Sequence, residues 1–237
     1  MKEKYENFIG RKADSSLARD LLWLAAPALW YFAFYMIWFM YLEKHRFAHY
    51  AVIHTTIDDY IPFREIFVIP YCAWFLYVGL SVLFFMFSLD IEDYYKEFLF
   101  LATGMTAFLV ISTVFPNMQH LRPSVMPRDN VFSSLVMMIY SHDTPTNLWP
   151  SIHVYNSLGV MIAVHHSKRF NKGGKLLSDL IGISIIMSTL FIKQHSVYDV
   201  LTAFIMATVC YILFYHSSFA ENFLKKREEA YSLRYNG

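Results

Sequence analysis

The chain has 237 residues, of which 56% are hydrophobic, 19% aromatic and only 16% charged, and its formal net charge is +1. This composition is too apolar for a soluble domain of that length, and a nearly neutral chain gives no electrostatic case for binding nucleic acid. We therefore predict a single transmembrane domain that covers residues 1–237.

Six apolar blocks follow one another along the chain, and we predict that each forms a transmembrane helix, which needs roughly 20 mainly apolar residues. The first block is too long for the core of a signal peptide and lacks a small-residue cleavage site, so we expect it to be retained. The fourth and fifth blocks are short and extend to about 151–166 and 176–192 when flanking polar residues are included. The blocks are Leu21–Leu42, Ile66–Leu89, Phe98–Phe115, Ile152–Val164, Leu180–Ile192 and Val200–Tyr215.

Positive charges orient the predicted bundle, because lysine and arginine favour the cytoplasmic side. With the N-terminus inside, 14 of the 20 lysines and arginines fall on inner segments. The six on outer segments are Lys44, Arg46, Arg64, Arg122, Arg128 and Lys193. This asymmetry predicts a multi-pass protein with both termini in the cytoplasm. The small size and spare loops of the chain favour a plasma membrane.

Two long outer loops, about 43–65 and 116–151, connect the predicted helices. The second loop contains the apolar stretch Val131–Tyr140, which is too short to span the bilayer. We expect it to form a short interfacial or re-entrant helix before the fourth transmembrane helix. Cys72 and Cys210 lie inside apolar blocks, which predicts two buried thiols rather than a disulfide framework.

Polar residues cluster at the outer ends of the third to sixth helices, and almost no ionisable group falls in the middle of an apolar block. They are His120, Arg122, His142, Asp143, Ser151, His153, Lys193, His195 and Asp199. A transporter is expected to carry such groups near the midplane of the membrane. Their position at the interface, where lipid headgroups lie, predicts a site that acts on headgroups.

The residues Pro150-Ser151-Ile152-His153 mark the start of the fourth predicted helix. Serine is a favoured N-cap residue, and the free N–H groups of a helix N-terminus bind anions. His153 falls in the first turn, close to any group bound there. We therefore predict an anion site with a histidine beside it.

The second histidine, His195, lies four residues before Asp199. On a helix these residues share a face, so the carboxylate can hold one imidazole nitrogen and leave the other free. A histidine oriented in this way is a competent nucleophile or base. Cations, helix N–H groups and two histidines are the groups that phosphoryl transfer requires.

These residues resemble the motifs of the type 2 phosphatidic acid phosphatase superfamily, which includes lipid phosphatases and haloperoxidase-like enzymes. Its pattern is Lys-x6-Arg-Pro, then Pro-Ser-Gly-His, then Ser-Arg-x5-His-x3-Asp. Arg122-Pro123 match the end of the first motif, Pro150–His153 match the second except for Ile152, and Ser188, His195 and Asp199 match the third. The likeness covers about residues 98–215, the predicted catalytic part.

The chain departs from that pattern at two cations. Phe115 stands where the family has the lysine of the first motif, and Thr189 stands where it has the arginine of the third. Lys193 is the expected replacement for one, and Arg128 or His120 for the other. The run Thr144–Asn147 and the Lys-Gln-His form of the third motif are similar to the branch of inositol phosphorylceramide and sphingomyelin synthases.

The resemblance implies a metal-independent phosphoric monoester hydrolase without a cofactor, which acts on a phospholipid or prenyl phosphate in the bilayer. His195 would form a phosphohistidine, Asp199 would orient it, and His153 would protonate the leaving group. The predicted substrate-binding residues are Arg122, Ser151, Lys193, Ser188 and Arg128. A lipid headgroup phosphotransferase would use the same histidines.

Other interpretations of these residues remain open. Arg122 and Lys193 also fit interfacial cations, Ser188 also fits packing between helices, and Asp199 also fits a helix cap. A metal site of His120, His142, His153 and His195 is the rival constellation, although the spacings match no standard metal pattern. A transporter or lipid-binding protein is the alternative from another class. The sequence carries no information on the oligomeric state.

Overall fold

A computed structural model describes residues 17–88, 90–220 and 222–226. The two chain ends, which we predicted to be cytoplasmic, lie outside the described residues. The elements are α1 (Leu17–Lys44), β1 (Ala51–Val52), α2 (Thr56–Tyr60), a 3-10 turn (Glu65–Phe67), α3 (Val68–Phe87), α4 (Ile91–Val114), β2 (Asn117–Met118), α5 (Val131–His142), α6 (Ile152–His166), α7 (Lys172–Phe191) and α8 (Val197–Tyr211). A π-helical turn (Ile212–His216) continues α8.

Within the described part of the chain, five helical segments are long and apolar enough to cross a membrane. They are Ala25–Lys44, Glu65–Phe87, Ile91–Val114, Lys172–Phe191 and Val197–His216. The six predicted blocks all contain helices, but α6 has only 15 residues. At 1.5 Å per residue it measures about 22 Å, which is short of the roughly 30 Å hydrocarbon core.

The short helix α6 lies at the centre of the bundle, in contact with α3, α4, α7 and α8. Most of its residues are buried, so protein rather than lipid surrounds it. Close approach of α4 depends on glycine, since a Cβ at Gly104 would lie 2.0 Å from the Tyr155 ring. The Tyr155 hydroxyl also donates to the Phe100 carbonyl at 2.7 Å.

The outer helices present large apolar side chains on their exposed faces, including Trp30, Ile37, Phe75, Leu180 and Ile205. In water such a surface would be unfavourable, whereas in a bilayer lipid tails cover it. Both cysteines are free. Cys210 is buried as predicted, but Cys72 is exposed because it lies on the outward face of α3.

The apolar stretch of the second long loop forms α5, two residues longer than predicted. Asn130 caps it, since its side-chain oxygen accepts from the N–H groups of Phe132 and Ser133. Val136 is buried together with Tyr71 and Ile192, while Met137 and Met138 are exposed. The helix itself is confirmed, and its interfacial position stays a prediction.

A pair of two-residue strands departs from the purely helical expectation. β1 and β2 pair in parallel, with Ala51 opposite Asn117 and Val52 opposite Met118. This pairing joins the two long loops to each other. We call this side of the bundle the histidine end, and it comprises the loops 43–65, 116–151 and 192–196.

Glu97 is an exception to the prediction that ionisable residues lie near the helix ends. Glu97 is fully buried, because α4 begins at Ile91 and places it almost two turns inside the helix. Its Oε1 accepts from the Ser81 hydroxyl of α3 at 2.6 Å. The sequence prediction missed it by starting the apolar block at Phe98.

Candidate functional site

The N-terminus of α6 has the predicted cap. Ser151 is fully buried, and its hydroxyl oxygen accepts from the Val154 N–H at 3.3 Å. Its own N–H donates to the Asp199 carbonyl at 3.3 Å. The serine therefore joins the beginnings of α6 and α8, and His153 follows in the first turn of α6.

The N-terminus of α8 is a capping box of Ser196 and Asp199. The Ser196 N–H donates to Asp199 Oδ2 at 2.8 Å, and His195 Nδ1 lies 3.3 Å from that same oxygen. His195 precedes the helix rather than lying on it, so the capping box brings the two side chains together. Asp199 is thus both a helix cap and the partner of a histidine.

His153 and His195 face each other at the histidine end. His195 Nε2 lies 3.4 Å from His153 Nδ1, and their ring centroids are 5.6 Å apart. His195 is only 4% exposed. The fold therefore brings together the two histidines that the sequence analysis singled out as catalytic.

Two aromatic residues of α3, which the sequence did not single out, hold His153. The Tyr71 ring stacks on His153 with centroids 4.7 Å apart, and the Trp74 ring lies 4.4 Å away. Both aromatic side chains are buried. Such packing restricts rotation of the imidazole and excludes water from it.

The hydrogen-bond pattern assigns the proton on His195. Asp199, as a carboxylate, accepts from Nδ1–H, which leaves the Nε2 lone pair facing His153. His153 can then donate its Nδ1 proton toward that lone pair. The arrangement can supply one nucleophilic nitrogen and one proton donor on neighbouring rings.

Arg122 lies beside this pair and binds several backbone carbonyls. Its guanidinium donates to the carbonyls of Tyr140, Asp143 and Thr144, and to Gln194 Oε1 at 2.6 Å. It also lies 4.4 Å from the centroid of the Tyr140 ring. Burial lowers the pKa of Arg122 from its ordinary value, and the nearby Asp143 opposes this change. Arg122 thus ties the end of α5 to the residue before His195.

The loop that carries His195 is fixed by contacts from the 116–151 loop. Lys193 has a positive φ of 55°, which turns the chain between α7 and α8. Gln119 Nε2 donates to the Lys193 carbonyl at 2.8 Å, and the Tyr140 hydroxyl donates to the Ile192 carbonyl. These contacts hold the histidine in place before α8 begins.

Lys193 itself points away from the histidine pair. Its Nζ donates to the Asp58 carbonyl at 2.7 Å, and burial lowers its pKa while Asp58 and Asp59 oppose that change. The Lys193 ammonium group is therefore bound to the first long loop. It does not occupy the place that the missing cations of the resembled motifs would fill.

Asp58 is a supporting residue that sequence reasoning did not single out. It is 1% exposed and accepts from the Ser196 hydroxyl at 2.6 Å, the Val197 N–H at 2.8 Å and both donors of Thr55. Burial alone would raise the pKa of Asp58, but these hydrogen bonds outweigh it and hold the pKa below its ordinary value. Its carboxylate anchors the start of α8.

Two other predicted substrate-binding residues lie elsewhere or have other partners. The Ser188 hydroxyl is fully buried and donates to the Ile185 carbonyl of its own helix. Arg128 forms a two-pronged ion pair with Glu65, at 2.5 and 2.6 Å. The structure does not bring either side chain to the histidine pair.

The four histidines of the rival metal hypothesis do not converge. His142 Nδ1 lies 2.8 Å from the Met138 carbonyl of α5, and His120 lines a separate cavity of about 630 Å³ with Lys193, Asp58 and His54. No group of three or more His, Cys, Asp or Glu side chains suited to a metal ion occurs within the described residues.

Polar atoms without partners remain around the histidine pair. Arg122 Nε, Gln194 Nε2 and Asp199 Oδ1 are buried and have no hydrogen-bond partner among the described residues. Orphaned buried polar atoms are costly and mark places where a ligand or water binds. Two of these three atoms are donors, which suits an anion.

Comparison with known proteins finds no matching family model, no matching curated protein and no matching solved structure.

Proposed function

We propose that the protein is an integral membrane phosphatase or phosphotransferase that acts on a phosphorylated lipid through a phosphohistidine. The observation that carries this proposal is the hydrogen-bonded series His153, His195 and Asp199, with distances of 3.4 and 3.3 Å. It is supported by the resemblance of the three motifs to the type 2 phosphatidic acid phosphatase superfamily.

In the first step, His195 Nε2 attacks phosphorus and the bond from phosphorus to the lipid oxygen breaks. His153, protonated on both ring nitrogens, gives one proton to the leaving alkoxide and becomes neutral, and Asp199 stabilises the positive charge on His195. His195 Nε2 and His153 Nδ1 lie 3.4 Å apart, so this step requires the two imidazoles to move apart and admit the phosphoryl group.

In the second step, an acceptor oxygen attacks phosphorus on the opposite side from Nε2. His153 takes the acceptor's proton, the bond between phosphorus and nitrogen breaks, and both histidines return to their starting state. Water as acceptor gives hydrolysis, and an alcohol gives transfer of the phosphorylated group.

The phosphoryl oxygens need donors in the transition state, where negative charge spreads over three oxygens. Arg122 Nε and Gln194 Nε2 are the available side-chain donors beside His195. The first N–H groups of α6 add further donors, as helix N-termini do for phosphate.

The charge around the site favours headgroup transfer as the second candidate function. Lys193 and Arg128 bind Asp58 and Glu65, which leaves Arg122 as the cation of these three that lies near the histidines. Asp199 contacts His195 at 3.3 Å, and Asp143 interacts with it electrostatically. A phosphodiester carries one negative charge and suits this balance better than a monoester, whose second proton leaves near pH 6.

We further propose that α6 completes a six-helix bundle, that α5 lies at the interface, and that the histidine end faces the extracytoplasmic side of a plasma membrane. The support is the distribution of lysine and arginine, of which the larger share lies toward the other end and the termini.

The decisive experiment incubates purified protein with phosphatidic acid, a prenyl pyrophosphate and several phosphodiester lipids in excess chelator. Free phosphate and new phospholipid products are both measured. Turnover of any substrate that vanishes in His195→Ala supports the proposal. Absence of turnover with all of them, together with substrate flux in liposomes that survives His153→Ala, would favour the transporter alternative.

A further inference from the structure

Glu43, the last residue but one of α1, belongs to none of the motifs and lies outside the predicted catalytic part. Its Oε2 atom accepts two hydrogen bonds from Thr144, one from the backbone N–H at 3.2 Å and one from the hydroxyl at 2.8 Å. The neighbouring Leu42 carbonyl accepts from Asn147 Nδ2 at 3.4 Å. The end of α1 therefore holds residues 144–147 from one side.

The peptide group between Asp143 and Thr144 is bound on both of its sides. Its N–H donates to Glu43, and its oxygen, the Asp143 carbonyl, accepts from Arg122 Nη1 at 2.8 Å. The N–H and C=O of a trans peptide point in opposite directions, so Glu43 and Arg122 lie on opposite sides of one rigid group. Two hydrogen bonds that share a peptide group in this way polarise it and strengthen each other.

The Arg122 guanidinium carries this connection to the residue before His195. Its Nη2 atom donates to the Thr144 carbonyl at 3.3 Å and to Gln194 Oε1 at 2.6 Å. Both terminal nitrogens are thus bound, while the buried Nε has no hydrogen-bond partner among the described residues. The direction of Nε is set by the acceptors of the terminal nitrogens, and Glu43 holds the residue that provides one of these carbonyls and follows another.

We propose that Glu43 is a positioning residue for Arg122, which it orients by fixing the peptide group between Asp143 and Thr144. The effect on turnover rests on the proposed function, in which Arg122 Nε binds a phosphoryl oxygen, while the effect on the Arg122 side chain does not. The site then needs α1 as well as the predicted catalytic part. A misplaced guanidinium stabilises the transition state less well, so kcat/KM should fall.

Two pairs of variants separate loss of this contact from loss of the fold. Glu43→Ala removes the acceptor, whereas Glu43→Gln keeps a side-chain oxygen that can accept from Thr144. Thr144→Val removes the hydroxyl donor at nearly constant size, whereas Thr144→Ser keeps it. We expect Glu43→Ala to lower kcat/KM on the order of 10-fold, because a small displacement of a group that positions the substrate is costly. Thr144→Val should lose less, since its N–H still donates, and Glu43→Gln and Thr144→Ser should keep most of the activity.

A double variant distinguishes positioning of Arg122 from general support of the fold. Glu43→Ala/Arg122→Ala should be no slower than Arg122→Ala, because Glu43 acts on turnover through the arginine side chain. Asp129→Ala is the matched control and should keep full activity, since Asp129 is an exposed carboxylate of the second long loop. Losses that multiply in the double variant, or an unchanged kcat/KM in Glu43→Ala, would overturn the proposal.

A second measurement does not depend on turnover. Phenylglyoxal modifies guanidinium groups, and mass spectrometry of the peptide that contains Arg122 reports how firmly this side chain is bound. We expect several-fold faster modification of Arg122 in Glu43→Ala than in the wild type, Glu43→Gln and Asp129→Ala. Equal rates in all four proteins overturn the inference. The expected rates together with a wild type that turns over no lipid phosphate would support the inference and count against the proposed function.

Discussion

His153 Nδ1 and His195 Nε2 lie 3.4 Å apart although 42 residues separate them in the sequence. Each histidine stands at the beginning of a helix, and the two helix starts are joined by the bond from the Ser151 N–H to the Asp199 carbonyl. The pair is thus held by the junction of α6 and α8 rather than by loop contacts alone.

Replacement of His195 by alanine should abolish turnover of the lipid substrate, because no other nitrogen at that position can attack phosphorus. Rapid acid-free quenching with a labelled phosphoryl group should detect phosphohistidine in the wild type and none in His195→Ala. His49→Ala, at an exposed histidine of the first long loop, is the control and should keep full activity. Retained turnover in His195→Ala would remove the proposed nucleophile.

Asp199→Asn should lower kcat by up to roughly 10⁴-fold, the loss found when the carboxylate that orients a catalytic histidine becomes an amide. The amide oxygen can still accept from the Ser196 N–H, so the helix cap should survive. Asp199→Ala should lose the cap as well and unfold more easily by about 1 kcal/mol. Kinetics and thermal unfolding in detergent separate the two roles. If Asp199→Asn had the same kcat as the wild type, the tautomer assigned to His195 would be wrong.

Substitution of Arg122 should lower activity, whereas substitution of Arg128 should leave it unchanged. Arg122→Lys should lower kcat/KM on the order of 10²-fold, because lysine cannot replace a planar guanidinium that binds several acceptors at once. Arg128→Gln should keep the specific activity of folded protein, since its partner is Glu65. Kinetic constants of both purified proteins test this contrast, and equal losses would argue that Arg128 binds substrate after all.

Protonation of Asp58 at acid pH should lower the free energy of unfolding of the protein. Its folded-state pKa lies below its ordinary value, so its contribution is present above about pH 4 and is lost as the pH falls through the folded-state value. Asp58→Ala should cost about 1–3 kcal/mol for each buried donor left without a partner. Thermal unfolding from pH 3 to 7 measures both effects. Asp59→Asn, at a more exposed carboxylate, is the control. If Asp58→Ala unfolded with the same dependence on acid pH as the wild type, the assignment would be wrong.

Two glycines of the transmembrane helices should differ sharply when changed to alanine. A Cβ at Gly104 would overlap the Tyr155 ring, whereas a Cβ at Gly79 meets no atom within 4 Å. Gly104→Ala should therefore destabilise the bundle by about 1–3 kcal/mol through overpacking. Gly79→Ala should be neutral or slightly stabilising. Apparent unfolding midpoints in one detergent compare them, and equal midpoints would contradict the packing of α4 on α6.

The capping signals were readable because they depend on neighbouring residues. Ser151 after Pro150 is a local pattern, and it forms the expected cap. The capping box of Ser196 and Asp199 is also local, but it was not predicted, because the predicted sixth helix began at Val200. The helices in the apolar blocks were predictable for the same reason. The short length of α6 could not be predicted from composition. A helix that other helices surround can be shorter than the bilayer is thick.

The binding partners of the lysine and arginine side chains could not be predicted from the sequence. Lys193 lies two residues before His195 yet binds Asp58, which is 135 residues away. Arg128 was a candidate for phosphate but pairs with Glu65. Long side chains reach any acceptor that the fold brings near, so spacing along the chain does not determine their partners.

By itself, the sequence determined that apolar helices follow one another, that the helix after Pro150 begins with a capped terminus, and that two histidines and a carboxylate lie near helix ends. Only the tertiary structure decided that Tyr71 and Trp74 enclose His153, that Asp58 anchors α8, and that Arg122 reaches Gln194. The physical reason is the distance along the sequence over which residues interact. Helix formation and capping depend on residues within one turn, whereas these contacts form only when distant segments pack together.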